Sequence, residues 1–458
     1  MNKIKYLRPL MAIAFLILLA PGWAKSASNT GVVKPRVTII KPTSMSEGQI
    51  GGNDAHKEHA PEATAHEDVK PVIDDYALPV KYSAPYAITT DSKGIIWFTE
   101  MSNHSVARLD PATGELKEYR LPSAEGLPDP EWDYDPNTKL TTPQSYDVYS
   151  VGNPGAIAVD KNDVIWFVTL LGNSVVRFDP VKEEFTEFIV PSDHAQPYDL
   201  AADADGRVWF VEKNTGKMGY LIAGEQRMVE IDLESGANPM GITLDKKGMV
   251  WIGDVPGNFL GRYDPATQKL KKFPINVANS QPGQMRFDHL GNLWVCMLHS
   301  QQLGVLIPDP GVYSVVPLPG YNAVPQALAP DAKGRIWIVD SMTNQIGFFD
   351  SINLNWRLFE IPVSNSQPMG ITVDSSGDVW FTQSDRHANR ISRLRISSIE
   401  SHDAHAGHDM GSATAATAPE APATPATGGG SMINLIILTL LAIGALVGAI
   451  ILARKLRP

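Results

Sequence analysis

Short runs of β-branched and aromatic residues recur along this 458-residue chain, and turn-forming residues separate them. Between residues 370 and 396, for example, GITV and DVWFT lie on either side of the turn DSSG, and NRISRLRI follows. Units of this kind end in a further apolar run, such as FTEFIVP at 185–191 or WRLFEIP at 356–362. Because such runs and turns are typical of β-hairpins, the pattern predicts an all-β chain built from four-stranded units.

A phrase built around a tryptophan repeats seven times with a nearly constant spacing. Successive tryptophans are separated by 69, 43, 42, 43, 43 and 43 residues. Each has a proline twelve residues before it and an aspartate six residues before it, and six have a glycine three residues before, with Asp163 as the exception. The tryptophans, which we interpret as core residues packed between units, are Trp97, Trp166, Trp209, Trp251, Trp294, Trp337 and Trp380.

A period of about 40 to 45 residues with four strands per unit is typical of β-propeller blades. The seventh unit lacks its last strand. The segment DDYALP at 74–79 lies at the same distance before Pro85 as a fourth strand lies before the repeat proline of the next unit. We therefore predict a seven-bladed β-propeller over residues 72–396, in which the N-terminal strand completes the last blade and leaves no open edge. The 69-residue interval places an insertion at 123–149, between blades 1 and 2.

The segments outside the propeller predict export and a membrane anchor. Residues 1–24 have the basic start and apolar run of a signal peptide, although an uncleaved anchor is an alternative. Residues 25–70 and 397–431 are rich in Ala, Pro, Thr, Gly and His and are predicted to be flexible. Residues 433–452 carry no charge and are long enough to cross a bilayer, and the basic residues of 453–458 are expected to stay cytoplasmic.

This arrangement predicts a single-pass protein of the cell membrane with its propeller on the periplasmic or extracellular side. The glycines at 428–430 before the apolar segment also resemble a GlyGly-type sorting signal, which would be removed after export.

The composition excludes several classes of function. A net charge of −11 and a pI near 5.5 argue against binding to nucleic acid, which needs a basic surface. The single cysteine, Cys296, excludes an intramolecular disulfide framework and a CxxCH haem attachment site. We expect neither a haem nor a nucleotide cofactor.

The seven repeats of a PxxI…D…G…WFTE phrase resemble the virginiamycin B lyase (streptogramin lyase) family of propellers. The resemblance covers the whole predicted propeller. It implies a carbon–oxygen lyase that opens a cyclic peptide ester by elimination with Mg²⁺. It also implies a general base, a histidine directly after one repeat proline, and a glutamate three residues after the tryptophan of that blade.

The positions that correspond to these two residues match the family only in part. Directly after the prolines lie Tyr86, Gly155, Tyr198, Met240, Gly283, Gln326 and Met369, none of which is histidine. Three residues after the tryptophans lie Glu100, Thr169, Glu212, Asp254, Met297, Asp340 and Gln383. Because proton abstraction needs a base that titrates near neutrality, the missing histidine argues against the lyase reaction.

In a propeller both sets of positions are expected to converge on one mouth of the central channel. The loops of that face also carry His104, His194, His299 and His387, whereas His289 lies in an opposite turn. Blade 3 contains His194, Tyr198 and Glu212. These are the candidate catalytic residues if the general base lies at a position other than the one directly after the repeat proline. The remaining candidates at the mouth are Tyr86, Glu100, Asp254, Gln326 and Asp340. The alternative is that all of these are ordinary polar residues of loops and channel.

Two further hypotheses involve metal ions. Short histidine-rich tracts suit Cu or Zn, and the two flanking segments contain such tracts, with His56, His59 and His66 in the first and His402, His405 and His408 in the second. An acidic metal cage in the channel, as a hydrolase of another propeller family would need, would draw on Glu100, Glu212, Asp254 and Asp340. Compositional bias of the tails is the alternative to metal binding there.

The sequence thus favours a membrane-tethered, extracytoplasmic propeller that binds an unidentified small-molecule or protein ligand at its mouth. The alternative is a carbon–oxygen lyase that uses a non-standard base.

Overall fold

The computed structural model describes residues 37–40, 70–125, 132–135, 140–143, 152–320 and 322–400. The predicted signal peptide, the apolar segment 433–452, the tail 453–458 and the six tail histidines lie outside this part of the chain. Within the described part, no helical segment has the length and apolar character needed to span a bilayer.

Seven antiparallel sheets, each built on four blade strands, form the blades of a propeller, which confirms the predicted fold. From the innermost strand outward, blade 1 comprises Pro85–Thr90, Ile96–Glu100, Ser105–Leu109 and Leu116–Arg120. Blade 2 comprises Pro154–Val159, Ile165–Thr169, Ser174–Asp179 and Glu184–Ile189. Blade 3 comprises Pro197–Ala202, Arg207–Glu212, Lys217–Ile222 and Arg227–Asp232. Blade 4 comprises Pro239–Leu244, Val250–Asp254, Phe259–Asp264 and Lys269–Pro274.

The remaining three blades repeat the same order. Blade 5 comprises Pro282–Phe287, Leu293–Met297, Gln302–Ile307 and Val312–Pro317. Blade 6 comprises Pro325–Pro330, Arg335–Asp340, Gln345–Asp350 and Asn355–Glu360. Blade 7 comprises Pro368–Val373, Val379–Gln383, Arg390–Leu394 and, as its outermost strand, Ile73–Ala77. Short 3-10 helices lie at Pro122–Ala124 and Ala223–Glu225.

The N-terminal strand closes blade 7, as predicted, and arginines hold it there. Asp74 lies opposite Arg393 in the ladder. One oxygen of the Asp74 carboxylate accepts bonds from Arg393 at 2.7 and 3.0 Å and from Arg395 at 2.6 Å. Asp75 accepts a bond from Arg390 at 2.9 Å. The seam of the ring is therefore joined by charge-assisted hydrogen bonds as well as by the ladder.

Two features lie outside the seven blades. Val37–Ile40 pairs antiparallel with the outermost strand of blade 1, so these four residues depart from the flexible segment expected at 25–70. In the predicted insertion, Trp132–Asp135 pairs with Leu140–Pro143 as a hairpin.

The repeated aspartate and tryptophan form one local motif in each blade. In blade 4, one oxygen of Asp245 accepts backbone N–H bonds from Lys247 and Met249, and the other accepts the indole N–H of Trp251 at 3.0 Å. The other six blades repeat this arrangement, with indole bonds of 2.7 to 3.0 Å. The aspartate thus fixes the turn between the first two strands and satisfies a donor that would otherwise be buried without a partner.

The tryptophans lie between blades, as predicted from their repetition. All seven are at most 4% exposed. Trp97 packs with Ile157 and Phe167 of blade 2, and Trp380 of the last blade packs with Ile88 and Phe98 of blade 1. Each tryptophan therefore joins its blade to the next, and the last one closes the core of the ring.

Candidate functional site

The residue after each repeat proline is turned toward the central channel by a local irregularity. Each proline begins an innermost strand, where the missing N–H removes no ladder bond. In all seven blades the pairing register then shifts within the next residues, as it does at a β-bulge. Bulges re-aim side chains, and here they bring Tyr86, Tyr198, Met240, Gln326 and Met369 to the wall of one cavity.

This cavity, the channel cavity, has a volume of about 70 Å³. Its wall combines apolar side chains such as Met240 and Met369 with a few polar ones. Tyr86 of blade 1 and Tyr198 of blade 3 both line the cavity and lie close enough that each shifts the pKa of the other. The ammonium group of Lys213 lies 4.8 Å from the centre of the Tyr198 ring.

Two glycines shape the channel cavity because they carry no side chain at the position after the proline. Gly155 of blade 2 lies between the blades of Tyr86 and Tyr198 in the ring. A Cβ atom at Gly155 would lie 3.1 Å from Leu170, and one at Gly283 would lie 3.0 Å from Leu298. The leucines of two mouth loops thus occupy the space that a larger residue would need.

The two tyrosines do not provide a substitute for the missing histidine. Burial, followed by the neighbouring Tyr198, raises the pKa of Tyr86 well above its ordinary value. Burial likewise raises the pKa of Tyr198. Both hydroxyls therefore stay protonated at neutral pH and are poorly suited to abstract a proton from carbon.

The carboxylates three residues after the tryptophans, which were expected at the channel mouth, are not among the residues that line the channel cavity. They are Glu100, Glu212, Asp254 and Asp340. All four are at most 3% exposed, and each serves its own blade. Asp254 accepts N–H bonds from Asn238 and Gly257 at 2.8 and 2.7 Å. Asp340 accepts N–H bonds from Val324, Met342 and Thr343 at 3.0 to 3.1 Å. These carboxylates fix the backbone of the mouth loops from beneath.

The two glutamates are buried in a comparable way. Glu100 accepts bonds from Ser105 at 2.5 Å and Asn103 at 3.0 Å, and burial raises its pKa. Glu212 accepts a bond of 2.5 Å from Thr215. Burial, together with the neighbouring Glu230, raises the pKa of Glu212 to about 7.

The four acidic residues therefore form no shared cage. Among the described residues, no group of three or more His, Cys, Asp or Glu side chains is placed to hold a metal ion. Mg²⁺ requires oxygen ligands that converge in near-octahedral geometry, and carboxylates committed to separate blades do not fit that requirement.

The predicted pairing of His194 with Glu212 is not formed. His194 is exposed, and its carbonyl oxygen accepts a bond from Asn214 at 3.1 Å. Glu212 is fully buried. In the described part of the chain no hydrogen bond or ion pair joins the two side chains, so blade 3 holds no assembled base and partner.

The other mouth histidines differ in exposure. His299 and His387 are exposed, as is His289 in its opposite turn. His104, which was expected at the mouth, is only 7% exposed, and its Nδ1 accepts the N–H of Asn153 at 3.3 Å. Burial, with a smaller contribution from Arg120, lowers the pKa of His104 to about 4, so the ring is neutral. His104 takes the place that asparagines fill in other blades, where they bind the mouth loops.

Sequence reasoning missed the charged residues of the channel cavity. Asp199 and Arg286 lie in the innermost strands of blades 3 and 5, two and four residues after the prolines, and both line the cavity. The signal for Arg286 was present, because an arginine inside a strand of a predicted ring core needs a polar environment.

Comparisons with known proteins agree with this fold. The profile of the Virginiamycin B lyase family matches residues 144–413. The solved structure of a streptogramin B lyase is 25% identical, with a TM-score of 0.61 over 71% of this chain and 97% of that chain. Virginiamycin B lyase from Staphylococcus aureus is 21% identical, with a TM-score of 0.61 over 71% of this chain and 99% of that chain.

A more distant structure shares the fold alone. It is the extracellular domain of a putative one component system from B. thetaiotaomicron, which is 16% identical, with a TM-score of 0.52 over 72% of this chain and 40% of that chain. No curated protein sequence matches the chain.

Proposed function

Because the chain belongs to the virginiamycin B lyase family, we propose that its propeller is a binding module that has kept the family's fold without its elimination chemistry. The ligand, a small molecule or a protein, docks at the channel mouth. The apolar segment 433–452 tethers the propeller to the outer side of the cell membrane. A propeller of the same fold serves as the extracellular domain of the putative one component system from B. thetaiotaomicron, which fits this role.

One observation carries the proposal: the positions that the family's reaction needs do not offer a base. Neutral tyrosines, methionines, glycines and a glutamine follow the seven prolines. The carboxylates three residues after the tryptophans are buried within separate blades. Glu212, whose pKa of about 7 would suit a base, is buried within blade 3 and is not among the residues that line the channel cavity. None of the family's positions therefore places a base on the cavity wall, while the cavity has contacts for a ligand.

The second candidate is a carbon–oxygen lyase that uses a non-standard base, and family membership favours it. Its candidate residues are His194, Tyr198 and Glu212, with Mg²⁺ as the cofactor by resemblance. The separation of His194 from Glu212 counts against this candidate.

The histidines of the two flanking segments have a separate proposed role, which is metal binding. His56, His59 and His66, together with His402, His405 and His408, would bind Cu or Zn because neutral imidazole suits these ions. Titration of the full chain with either ion tests this role.

Quinupristin, which is bound in a structure of catalytically inactive virginiamycin B lyase from S. aureus, is a suitable probe of the mouth. Thermal unfolding would be followed with and without quinupristin for the native protein and for Tyr198→Ala at the channel. His289→Ala, on the opposite face, is the matched control. A stabilisation shared by the native protein and His289→Ala and lost in Tyr198→Ala supports binding at the mouth.

Two other outcomes of the unfolding experiment would contradict binding of quinupristin at the mouth. An equal stabilisation of Tyr198→Ala would place the ligand elsewhere on the propeller. No stabilisation of any of the three proteins would exclude streptogramin-type esters as ligands.

A further inference from the structure

The channel cavity contains a guanidinium group that no carboxylate neutralises by direct contact. Arg286 lies in the innermost strand of blade 5 and lines the cavity. Its Nη1 donates to the carbonyl oxygen of Met285 at 2.8 Å. Among the described residues Arg286 forms no ion pair, so most of its five N–H donors remain available.

Asp199, the acidic residue of the same cavity, uses both of its carboxylate oxygens to accept backbone hydrogen bonds. One oxygen of Asp199 accepts the N–H of Leu200 at 2.9 Å, and the other accepts the N–H of Ile242 at 3.0 Å. Moving this carboxylate to Arg286 would leave two buried backbone donors, the N–H groups of Leu200 and Ile242, without partners, which carries a free-energy cost. Asp199 therefore acts on Arg286 only at a distance.

The other polar groups around the cavity favour an anion. The side-chain oxygen of Gln284 accepts the N–H of Leu328 at 2.8 Å, and its amide group carries two N–H donors for a ligand. Lys213 adds a second positive charge next to Tyr198, and among the described residues it forms no ion pair. The net charge of −11 belongs to the whole chain and is screened over about 8 Å at physiological salt.

The size and polarity of the cavity narrow the choice of anion. A volume of about 70 Å³ has room for roughly five water-sized groups. Met240, Met369 and Leu298 supply apolar wall, which strengthens an ion pair by lowering the local dielectric constant and suits a short hydrocarbon. A planar carboxylate matches the fork of a guanidinium with two parallel hydrogen bonds.

From these observations we infer that the channel cavity is a binding site for a small carboxylate, with Arg286 as its ion-pair partner and Gln284 as a further donor. This inference rests on the proposed binding function and names the chemical class of the ligand. The carboxylate enters with its charged end toward Arg286, and its short apolar part packs against the methionines.

Propionate is a probe of suitable size, and propionamide is its neutral counterpart. Isothermal titration at low chloride concentration would compare the native protein with Arg286→Met and Arg286→Lys. Arg262→Met is the matched control, since Arg262 of blade 4 pairs with Asp309 of blade 5, outside the cavity. Circular dichroism and thermal unfolding would establish that each variant is folded.

Propionate is expected to bind the native protein and Arg262→Met with affinities that agree within about twofold, and propionamide is expected not to bind. Arg286→Met should weaken propionate binding by about tenfold or more, and Arg286→Lys should weaken it less, because the charge remains while the fork is lost. Raising chloride to about 0.5 M should weaken binding to the native protein.

Failure of native protein to bind propionate, or equal binding by Arg286→Met, would overturn the inference. Neither result depends on quinupristin, so a failure here is distinguishable from a failure of the proposed binding function. Equal binding of propionamide would show that the site recognises shape rather than charge, and it would also overturn the inference.

Discussion

The pKa of Glu212 provides a quantitative test of whether this carboxyl is buried and protonated up to about neutral pH or is ionised in the folded protein. The pKa rises from an ordinary value of 4.5 to about 7 in the folded protein. Below pH 4.5 the carboxyl is protonated in both folded and unfolded states and has no effect on the free energy of unfolding. Between pH 4.5 and 7 the unfolded state ionises first, so stability falls as the pH rises. At about 1.4 kcal/mol per pKa unit, the full loss is about 3 kcal/mol above pH 7.

Glu212→Gln removes this ionisation and keeps the hydrogen-bonding groups. The amide oxygen can accept from Thr215, and the amide nitrogen can donate toward Glu230. We therefore expect the stability of the variant relative to the native protein to rise with pH, by about 3 kcal/mol between pH 4.5 and about pH 8. Urea unfolding at several pH values measures this difference, and groups common to both proteins, such as His104, cancel.

Glu225→Gln is the matched control, because Glu225 is exposed and pairs with Arg227 on the surface. Its stability relative to the native protein should change by less than about 1 kcal/mol over the same range. If the advantage of Glu212→Gln does not grow with pH, Glu212 is ionised in the folded protein. The interpretation of Glu212 as a buried structural carboxyl would then be wrong.

Three further changes test the fold around the site. Asp245→Ala should destabilise the protein by about 1–3 kcal/mol, since it leaves the indole N–H of Trp251 unpaired, and Asp245→Asn should recover part of this loss in urea unfolding. Asp74→Ala should cost about 1–2 kcal/mol and lower the melting temperature, because Arg393 loses its partner at the seam; an unchanged melting temperature would contradict a role in closure. As the pH falls from 6.5 to 4, the native protein should lose stability, because His104 binds a proton in the unfolded state and not in the folded state, where its ring is buried. His104→Asn should remove this loss. That loss amounts to about 3 kcal/mol, and a variant that follows the native curve would refute a buried neutral His104.

The repeat itself made the fold predictable from the sequence. The fixed register of proline, aspartate and tryptophan reflects a turn in which one carboxylate binds the backbone and the indole. Such a motif tolerates little change in spacing, so it leaves a strong periodic signal. The closing strand was predictable because DDYALP lies at the same distance from Pro85 as a fourth strand lies from the next blade.

The site was less predictable, for reasons of local geometry. The bulge after each proline decides which side chain enters the channel, and a bulge has no fixed sequence pattern. Glu212 and Asp254 were expected at the mouth because their strands end there. Their side chains bind loop groups of their own blades and do not line the channel cavity, which the ends of the strands do not reveal.

For His104 a signal was present in the sequence. Seven residues after their tryptophans, blades 2, 4 and 6 carry Asn173, Asn258 and Asn344, and His104 occupies the same position in blade 1. All four residues have a positive φ, a conformation that asparagine and histidine adopt more readily than most residues. The position therefore predicts a loop-fixing role rather than a ligand contact.

We propose that this propeller lacks the family's elimination reaction, and a single-turnover experiment can establish whether the reaction occurs. The full chain, in excess over quinupristin and with Mg²⁺, would be incubated for many hours beside virginiamycin B lyase from S. aureus, and the products separated by chromatography with mass detection. We expect quinupristin to remain intact with this chain while the S. aureus enzyme converts it. A product of unchanged mass and altered retention, formed by this chain, would contradict this expectation and establish a lyase with a non-standard base.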